Sequence, residues 1–254
     1  MKIDKFERGL VDRVAIVTGA AVGNGQAFCE RLAQEGARLV IADVQDSSSL
    51  ANRLRSEGAL VECVQADLTK AAEVARVVQS AIEAFGQIDI LVHNVGHYHE
   101  EPFELLEFDE WKRTIEVTLD SAYHMIRGVL PHMKKQSFGR IITFSSDTVW
   151  LGTPFLSAYV TAKMGIIGLT RSLAAEIGKY GITINSISVG LTATQNAQKG
   201  QVGVTMLEHI IPAQSVHRAD EPEDIANVVA FLALPASGII TGQTINVDGG
   251  VARH

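Results

Sequence analysis

The chain alternates short runs of β-branched and aliphatic residues with longer stretches in which apolar positions recur at helical spacing. RVAIVTG leads into a helical stretch to Gly36, RLVIAD into a second, ALVECVQAD into a third, and QIDILVHN closes the first half. Consecutive strand–helix–strand units build a parallel sheet, and strands covered on both faces by crossover helices read as near-continuous apolar runs. VAIV, LVIA and IDILV have that character. The second half predicts a long helix from about Asp109 to Lys135, the strand GRIITFSS, a helix from about Phe155 to Lys179, the strand ITINSIS, a helix from about Pro222 to Leu234 and a last strand near QTINVDG. The expected fold class is therefore α/β, a doubly wound parallel seven-stranded sheet, in a single domain over residues 1–254. Weak periodicity from Leu191 to about Ala219 marks a substrate-loop insertion at about 191–219.

Composition narrows the function. A chain of 254 residues suits one α/β domain, and 46% hydrophobic with 20% charged residues supplies a core covered on both faces. A formal charge of -7 with no Lys/Arg run sets the average field against polyphosphate, so no nucleic acid partner is expected. The charged start MKIDKFERGL has no signal-peptide stretch, and no apolar run is long enough for a membrane helix, so a cytoplasmic protein without a membrane partner is expected. Cys29 and Cys63 stand at neither metal nor redox spacing and read as small buried apolar residues. His97 and His99 flank Tyr98, with His93 nearby, but no carboxylate or thiol lies at helical ligand spacing from them; no metal site is predicted.

After the first strand comes Thr18-Gly19-Ala20-Ala21-Val22-Gly23-Asn24-Gly25, which runs directly into a helix. Glycines there permit a tight turn and let a pyrophosphate approach the backbone, where the helix N-terminus offers unpaired N–H groups. Asp43 ends the second strand eighteen residues past Gly25 (43 − 25 = 18). A carboxylate in that place accepts hydrogen bonds from both hydroxyls of an adenosine ribose and repels a 2′-phosphate. Neither Val44 nor Ala20 to Val22 supplies a Lys or Arg to neutralise such a phosphate, so a Rossmann-like site for NAD, not NADP, is expected.

Tyr159 and Lys163 stand at i and i+4, on one face of a helix. A nearby ammonium favours a phenolate, which suits Tyr159 to take a proton from an alcohol or return one to a carbonyl. Ser146, thirteen positions earlier (159 − 146 = 13), ends the strand IITFSS, where its hydroxyl can donate to a substrate oxygen.

Together these residues resemble the short-chain dehydrogenase/reductase family, and the resemblance covers nearly the whole chain, through the terminal TGQTINVDGG. The family's TGxxxGxG is matched by Thr18, Gly19, Gly23 and Gly25, with Asn24 where Ile or Leu is usual. The resemblance implies that Asp67 and Leu68 lie beside the adenine. It also implies that Asn94 and Gly96, in a sequence HNVG replacing NNAG, and Gly190, in the turn after the sixth strand, serve the cofactor, and that Thr194 holds the nicotinamide carboxamide. Ser146, Tyr159 and Lys163 would be the catalytic residues. Thr118 stands where the family has an asparagine that connects the lysine to solvent through water, so the proton relay is expected to be altered. The resemblance further implies a homotetramer built on the two long helices.

Substrate contacts are expected from Tyr98, Ser146, Trp150, Phe155, Leu156, Leu191 and Met206, which are mostly apolar or aromatic and suit a small-molecule substrate. The expected activity is NAD-dependent interconversion of a hydrophobic, ring-bearing secondary alcohol and its ketone. Within the family, TVWLGTP, AYVTAKMGIIGLTRSLAAEIGKYGIT and GGVARH resemble bacterial 1-phenylethanol dehydrogenases and pyridoxal 4-dehydrogenases. A pyridoxal-type alcohol or aldehyde dehydrogenase and, because of Thr118, a non-catalytic nucleotide-binding homologue are the alternatives. Asp43 and the acidic balance disfavour an acyl-carrier-protein reductase.

Overall fold

The computed structural model describes residues 9–194, 207 and 209–253. In chain order the elements are β1 (Val14–Thr18), α1 (Asn24–Gln34), β2 (Arg38–Asp43), α2 (Ser48–Ser56), β3 (Val61–Gln65), α3 (Ala71–Phe85), β4 (Ile90–His93) and α4 (Phe108–Ile115). They continue as α5 (Ser121–Gln136), β5 (Gly139–Ser146), α6 (Thr148–Leu151), α7 (Ser157–Ile177), β6 (Ile182–Val189), α8 (Pro222–Ala233) and β7 (Thr244–Val247). All seven strands are parallel, in the order β3-β2-β1-β4-β5-β6-β7. The order reverses between β1 and β4, and a ligand crevice opens at the carboxyl ends of strands at such a switch point.

Two apolar layers enclose the sheet. On one face Phe28 and Leu32 of α1, Leu50 and Leu54 of α2, and Ile225 and Val229 of α8 pack on alternate residues of the strands. On the other, Val74 and Val77 of α3, Met125 and Val129 of α5 and Ile177 of α7 do the same. Cys29 is buried in the first layer, as expected, whereas Cys63 on the outer strand β3 is half-buried. Among the described residues no helix is long and apolar enough to cross a membrane.

The predicted helix over 109–135 is divided. Between α4 and α5 lies a π-helical turn, Glu116–Asp120. Its cause is local: Ser121 Oγ donates to Val117 O at 2.6 Å, the carbonyl that the Ser121 N–H would take in an α-helix, and that N–H reaches Glu116 O instead. Helix α7 starts at Ser157 rather than Phe155, because Phe155 has φ +65, a left-handed conformation that cannot open a helix. At the two ends of the predicted insertion, Thr192 forms an isolated parallel bridge with Asp220, which ties those ends to each other. Met206 lies outside the described residues.

Candidate active site

The turn after β1 is shaped by close contact. A Cβ on Gly25 would lie 1.9 Å from Gly19 O, so only glycine lets α1 start so near the strand. Gly23, at φ 60 and ψ -132, precedes α1 without a side-chain cap, leaving the first N–H groups of the helix for a ligand. Asn24 Oδ1 beside them is buried and has no hydrogen-bond partner among the described residues. Asn94 Nδ2 donates to Gly19 O at 3.1 Å and ties this turn to the end of β4. From the far side, Thr194 reaches over the turn, its Cγ2 3.3 Å from where a Gly23 Cβ would stand.

Asp43 faces the same turn. Its Oδ2 accepts from Ala21 N and its Oδ1 from Gln45 N, both at 2.9 Å. Each carboxylate oxygen keeps a lone pair for a further donor. An uncapped helix start, a glycine cradle, an orphaned amide oxygen and a carboxylate at the strand end fit a dinucleotide.

His93, the departure from the family sequence, is buried at the end of β4 between two hydroxyls. The Ser121 hydroxyl gives its proton to Val117 O, so it accepts from His93 Nε2 at 3.0 Å; Nδ1 then accepts from Thr18 Oγ1, also at 3.0 Å. Thr18 Oγ1 in turn accepts from Asn94 N at 3.3 Å. Burial, with the Lys163 charge adding to it, pushes the imidazole down to about 3, so it is neutral and acts as a bridge between β1 and the start of α5.

A cleft of about 780 Å³ continues from this crevice over the ends of β5 and β6. Ser146, Tyr159 and Lys163 all line it, with Phe144, Leu151, Leu156, Val189, Leu191 and Ile210 as apolar walls. Lys163, buried on α7, donates from Nζ to Phe144 O at 3.0 Å, and burial pulls its ammonium down to about 8. The expectation that this ammonium lowers the Tyr159 phenol is corrected. Burial, the larger influence, pushes Tyr159 up to about 12 against the opposing hydrogen bond with Ser146, and Lys163 Nζ stands 5.6 Å from the ring centroid. Tyr98 packs edge-on against Tyr159, with centroids 5.2 Å apart. Gly96 is the spacer beside the lysine: a Cβ there would come 3.3 Å from Lys163 Nζ and 3.9 Å from Thr118 Cγ2. Thr118, buried in the π-helical turn, thus turns its methyl towards Gly96, while its hydroxyl accepts from His97 N at 3.0 Å.

Ser146 Oγ accepts from Thr148 N and Thr148 Oγ1 and donates to Asp147 Oδ1 at 3.3 Å. Asp147 is buried. Desolvation first, then the charge of Asp248, raise its carboxyl to about 6 despite the Ser146 hydrogen bond. An acid with a raised folded-state pKa contributes stability that is complete below its unfolded value of about 4 and is lost as pH rises through about 6. Asp147→Asn should therefore stabilise the fold by about 2 kcal/mol at pH 8, from a shift of about two units at ~1.4 kcal/mol each with allowance for coupling. At pH 4 it should change little. Thermal unfolding at the two pH values checks this, and an equal gain at both would refute it.

Of the other predicted contacts, Asn24, Asn94, Gly96, Tyr98, Leu156, Gly190, Leu191 and Thr194 line the cleft. Asp67, Leu68, Trp150 and Phe155 do not. Asp67 is bound by Thr69 and Lys70 in the turn after β3, and Leu68 is buried. Trp150 donates from Nε1 to Ser188 Oγ of β6 at 3.2 Å, and Phe155 is exposed, its carbonyl accepting from Glu101 N. Asp147 and Thr148, within the stretch Asp147 to Trp150 expected to border the pocket, line the cleft, and Leu151, Thr153 and His209 line it without having been singled out.

Comparison with known proteins agrees with this geometry. A family model described as enoyl-(acyl carrier protein) reductase matches residues 19–252. The short-chain reductase protein NovJ of Streptomyces niveus is 36% identical over 246 residues, 94% of each chain. The (2S)-[(R)-hydroxy(phenyl)methyl]succinyl-CoA dehydrogenase subunit BbsD of Thauera aromatica is 36% identical over 248 residues, 95% of this chain and 97% of that one. The crystal structure of levodione reductase superposes with a TM-score of 0.89 at 31% identity, covering 94% of this chain and 97% of that one. The protein is an oxidoreductase that uses a nicotinamide cofactor on alcohol- or ketone-type substrates, and the chain belongs to the short-chain dehydrogenase/reductase family.

Proposed function

We propose that this protein interconverts a hydrophobic, ring-bearing secondary alcohol and its ketone, with NAD as the cofactor. The observation that carries the reading is the convergence of Ser146, Tyr159 and Lys163 on one cleft whose surface is mostly apolar. Such a cleft favours an apolar ring, with the few polar groups orienting one oxygen. The bound nicotinamide supplies the hydride acceptor or donor. Tyr159 would move the proton to or from the substrate oxygen, Ser146 would donate a hydrogen bond to that oxygen, and Lys163 would contribute positive charge and donors to the bound cofactor. The name of the BbsD relative, with hydroxyl and phenyl on one carbon, supports a benzylic alcohol as the first substrate class to try. Cofactor absorbance followed across a panel of aryl and alkyl secondary alcohols tests the proposal: aryl substrates should lead in kcat/KM, and a preference for small polar alcohols would overturn it.

NAD is proposed over NADP because Asp43 presents its charge at the end of β2 and takes its hydrogen bonds from backbone N–H groups, with no cation among its described partners. Asp67 and Leu68 would border the adenine. Thr118 is proposed to keep a water between Lys163 and solvent through its hydroxyl, although that oxygen also holds the His97 N–H. Thr118→Val should cut kcat by about tenfold, less than the 10²–10⁴ of direct acid/base work, and shift the pH profile, whereas Thr118→Asn should retain turnover. A change confined to KM would leave Thr118 as the anchor of the His97 loop and nothing more.

Assembly as a homotetramer is proposed from the exposed Tyr123 of α5 and Met164 of α7, apolar residues on the two helices through which relatives are expected to pair. Light scattering at micromolar protein should give four times the chain mass. A monomer would rule the assembly out.

A further inference from the structure

The loop after β4 and the first turn of α4 bring together three groups that sequence spacing kept apart. Glu110 Oε1 lies 2.6 Å from His97 Nε2 and 3.8 Å from His99 Nδ1, and one ligand atom from each of the three residues fits within 4.8 Å of the others. The carboxylate that the sequence lacked near the histidines is thus supplied by the helix.

We propose that His97, His99 and Glu110 form a binding site for a divalent transition-metal ion of the zinc class at the mouth of the catalytic cleft. Two imidazoles and a carboxylate are the donor set of an open zinc site, which leaves a fourth position for water. Two ligands about 2.05 Å from a tetrahedral ion stand about 3.3 Å apart. Opening the 2.6 Å contact and closing the 3.8 Å one by side-chain rotation brings both to that spacing.

The surroundings favour an ion. His99 Nε2 lies 3.1 Å from Glu101 Oε2, so a carboxylate holds the ring by the nitrogen that the ion does not need. That is the outer arrangement by which a metal-bound histidine is oriented and its tautomer fixed. The two imidazole planes are nearly parallel, 11° apart. The backbone is pinned at both ends of the segment, His97 N to Thr118 Oγ1 at 3.0 Å and Glu101 N to Phe155 O at 2.8 Å. Glu110 sits on a helix, its second oxygen 3.9 Å from Arg113 Nη1, a side chain exposed enough for water to screen it. The three ligand side chains keep between 22% and 35% exposure, so an ion can reach them from solvent. Tyr98 lies between the two histidines and packs on Tyr159. An ion in this site would tether that segment to α4 and fix Tyr98 over the cleft.

The site does not depend on the proposed substrate or cofactor, and binding of the metal alone tests it. Metal-free full-length protein titrated with zinc sulfate in a calorimeter should bind one ion per chain with a micromolar or tighter Kd. His99→Ala and Glu110→Gln should each weaken binding by more than the 10–100-fold loss typical of an outer partner, and Glu101→Gln by about tenfold. Unfolding curves and retained cofactor binding establish that the variants are folded. Independently of any variant, X-ray absorption on the zinc-loaded wild type should require two imidazoles and one carboxylate oxygen around the metal. A coordination shell with fewer than two imidazoles, zinc affinity unchanged in the variants, or no binding at millimolar zinc would each overturn the proposal.

Discussion

Tyr159→Phe should lower turnover by about 10²–10⁴-fold while leaving NAD affinity within about twofold. The substitution removes one hydroxyl from the cleft and leaves the ring that packs edge-on with Tyr98. With the phenol pushed up to about 12, Tyr159 is protonated near neutral pH, the form that gives a proton to a carbonyl. Alcohol oxidation needs the opposite form, so its rate should climb with pH, while ketone reduction should stay level as far as Tyr159 is concerned until the pH nears that value. Lys163, at about 8, keeps its charge on the acid side of that value and loses it above. Initial rates in both directions over the pH range, together with NAD titrations of the variant, separate chemistry from binding. Turnover in Tyr159→Phe equal to that of the wild type would overturn the mechanism.

Asp43→Ala should weaken NAD binding by about 10–100-fold, the loss of two charge-assisted hydrogen bonds at ~1.5–3 kcal/mol each reduced by water entering the gap. The same change should improve NADP binding, since no carboxylate then opposes the 2′-phosphate. Asp43 also holds the Ala21 and Gln45 N–H groups, so its removal loosens the glycine turn for either cofactor. That shared loss cancels in the ratio of the two affinities, which makes the ratio the diagnostic quantity. Asp43→Asn, which keeps an acceptor and removes the charge, should shift the ratio in the same direction with less loss of NAD. Calorimetry with both cofactors decides it; a ratio unchanged by either substitution would refute the role given to Asp43.

The strands were legible because a parallel strand buried on both faces has almost no polar residue to confuse it, as in VAIVT or RLVIAD. Tyr159 and Lys163 were legible as a pair because one helix carries both at a fixed spacing. The π-helical turn was not, since it follows from one serine hydroxyl taking a backbone carbonyl, and apolar periodicity is blind to that. The left-handed Phe155 was hidden for a similar reason, being a bulky residue in a conformation that composition does not announce. His93 could be seen as a departure from the family sequence, but its neutral bridging role required the positions of Thr18 and Ser121. Glu110 joins His97 and His99 only because α4 folds back beside the loop, a long-range meeting that no local spacing encodes.

The switch point in the sheet also sets how far apart along the chain the strands that meet there lie. Ala15 pairs with Ile90 in register, and Asp89 secures the start of β1 by accepting from Val14 N and Arg13 NH1, each at 2.9 Å. The central strand of the first half therefore stays open along one edge until a segment some seventy-five residues downstream arrives (90 − 15 = 75). Closing so long a loop costs more entropy than the β1–β2 pairing, in which Ala15 meets Leu39, by about 1 kcal/mol, because the cost grows with the logarithm of loop length. The crevice between β1 and β4, with Asn94 locking the glycine turn, exists only where this pairing is made. A nucleotide that recognises the crevice binds only chains in which this pairing is made, so its binding shifts the unfolding equilibrium towards the completed fold.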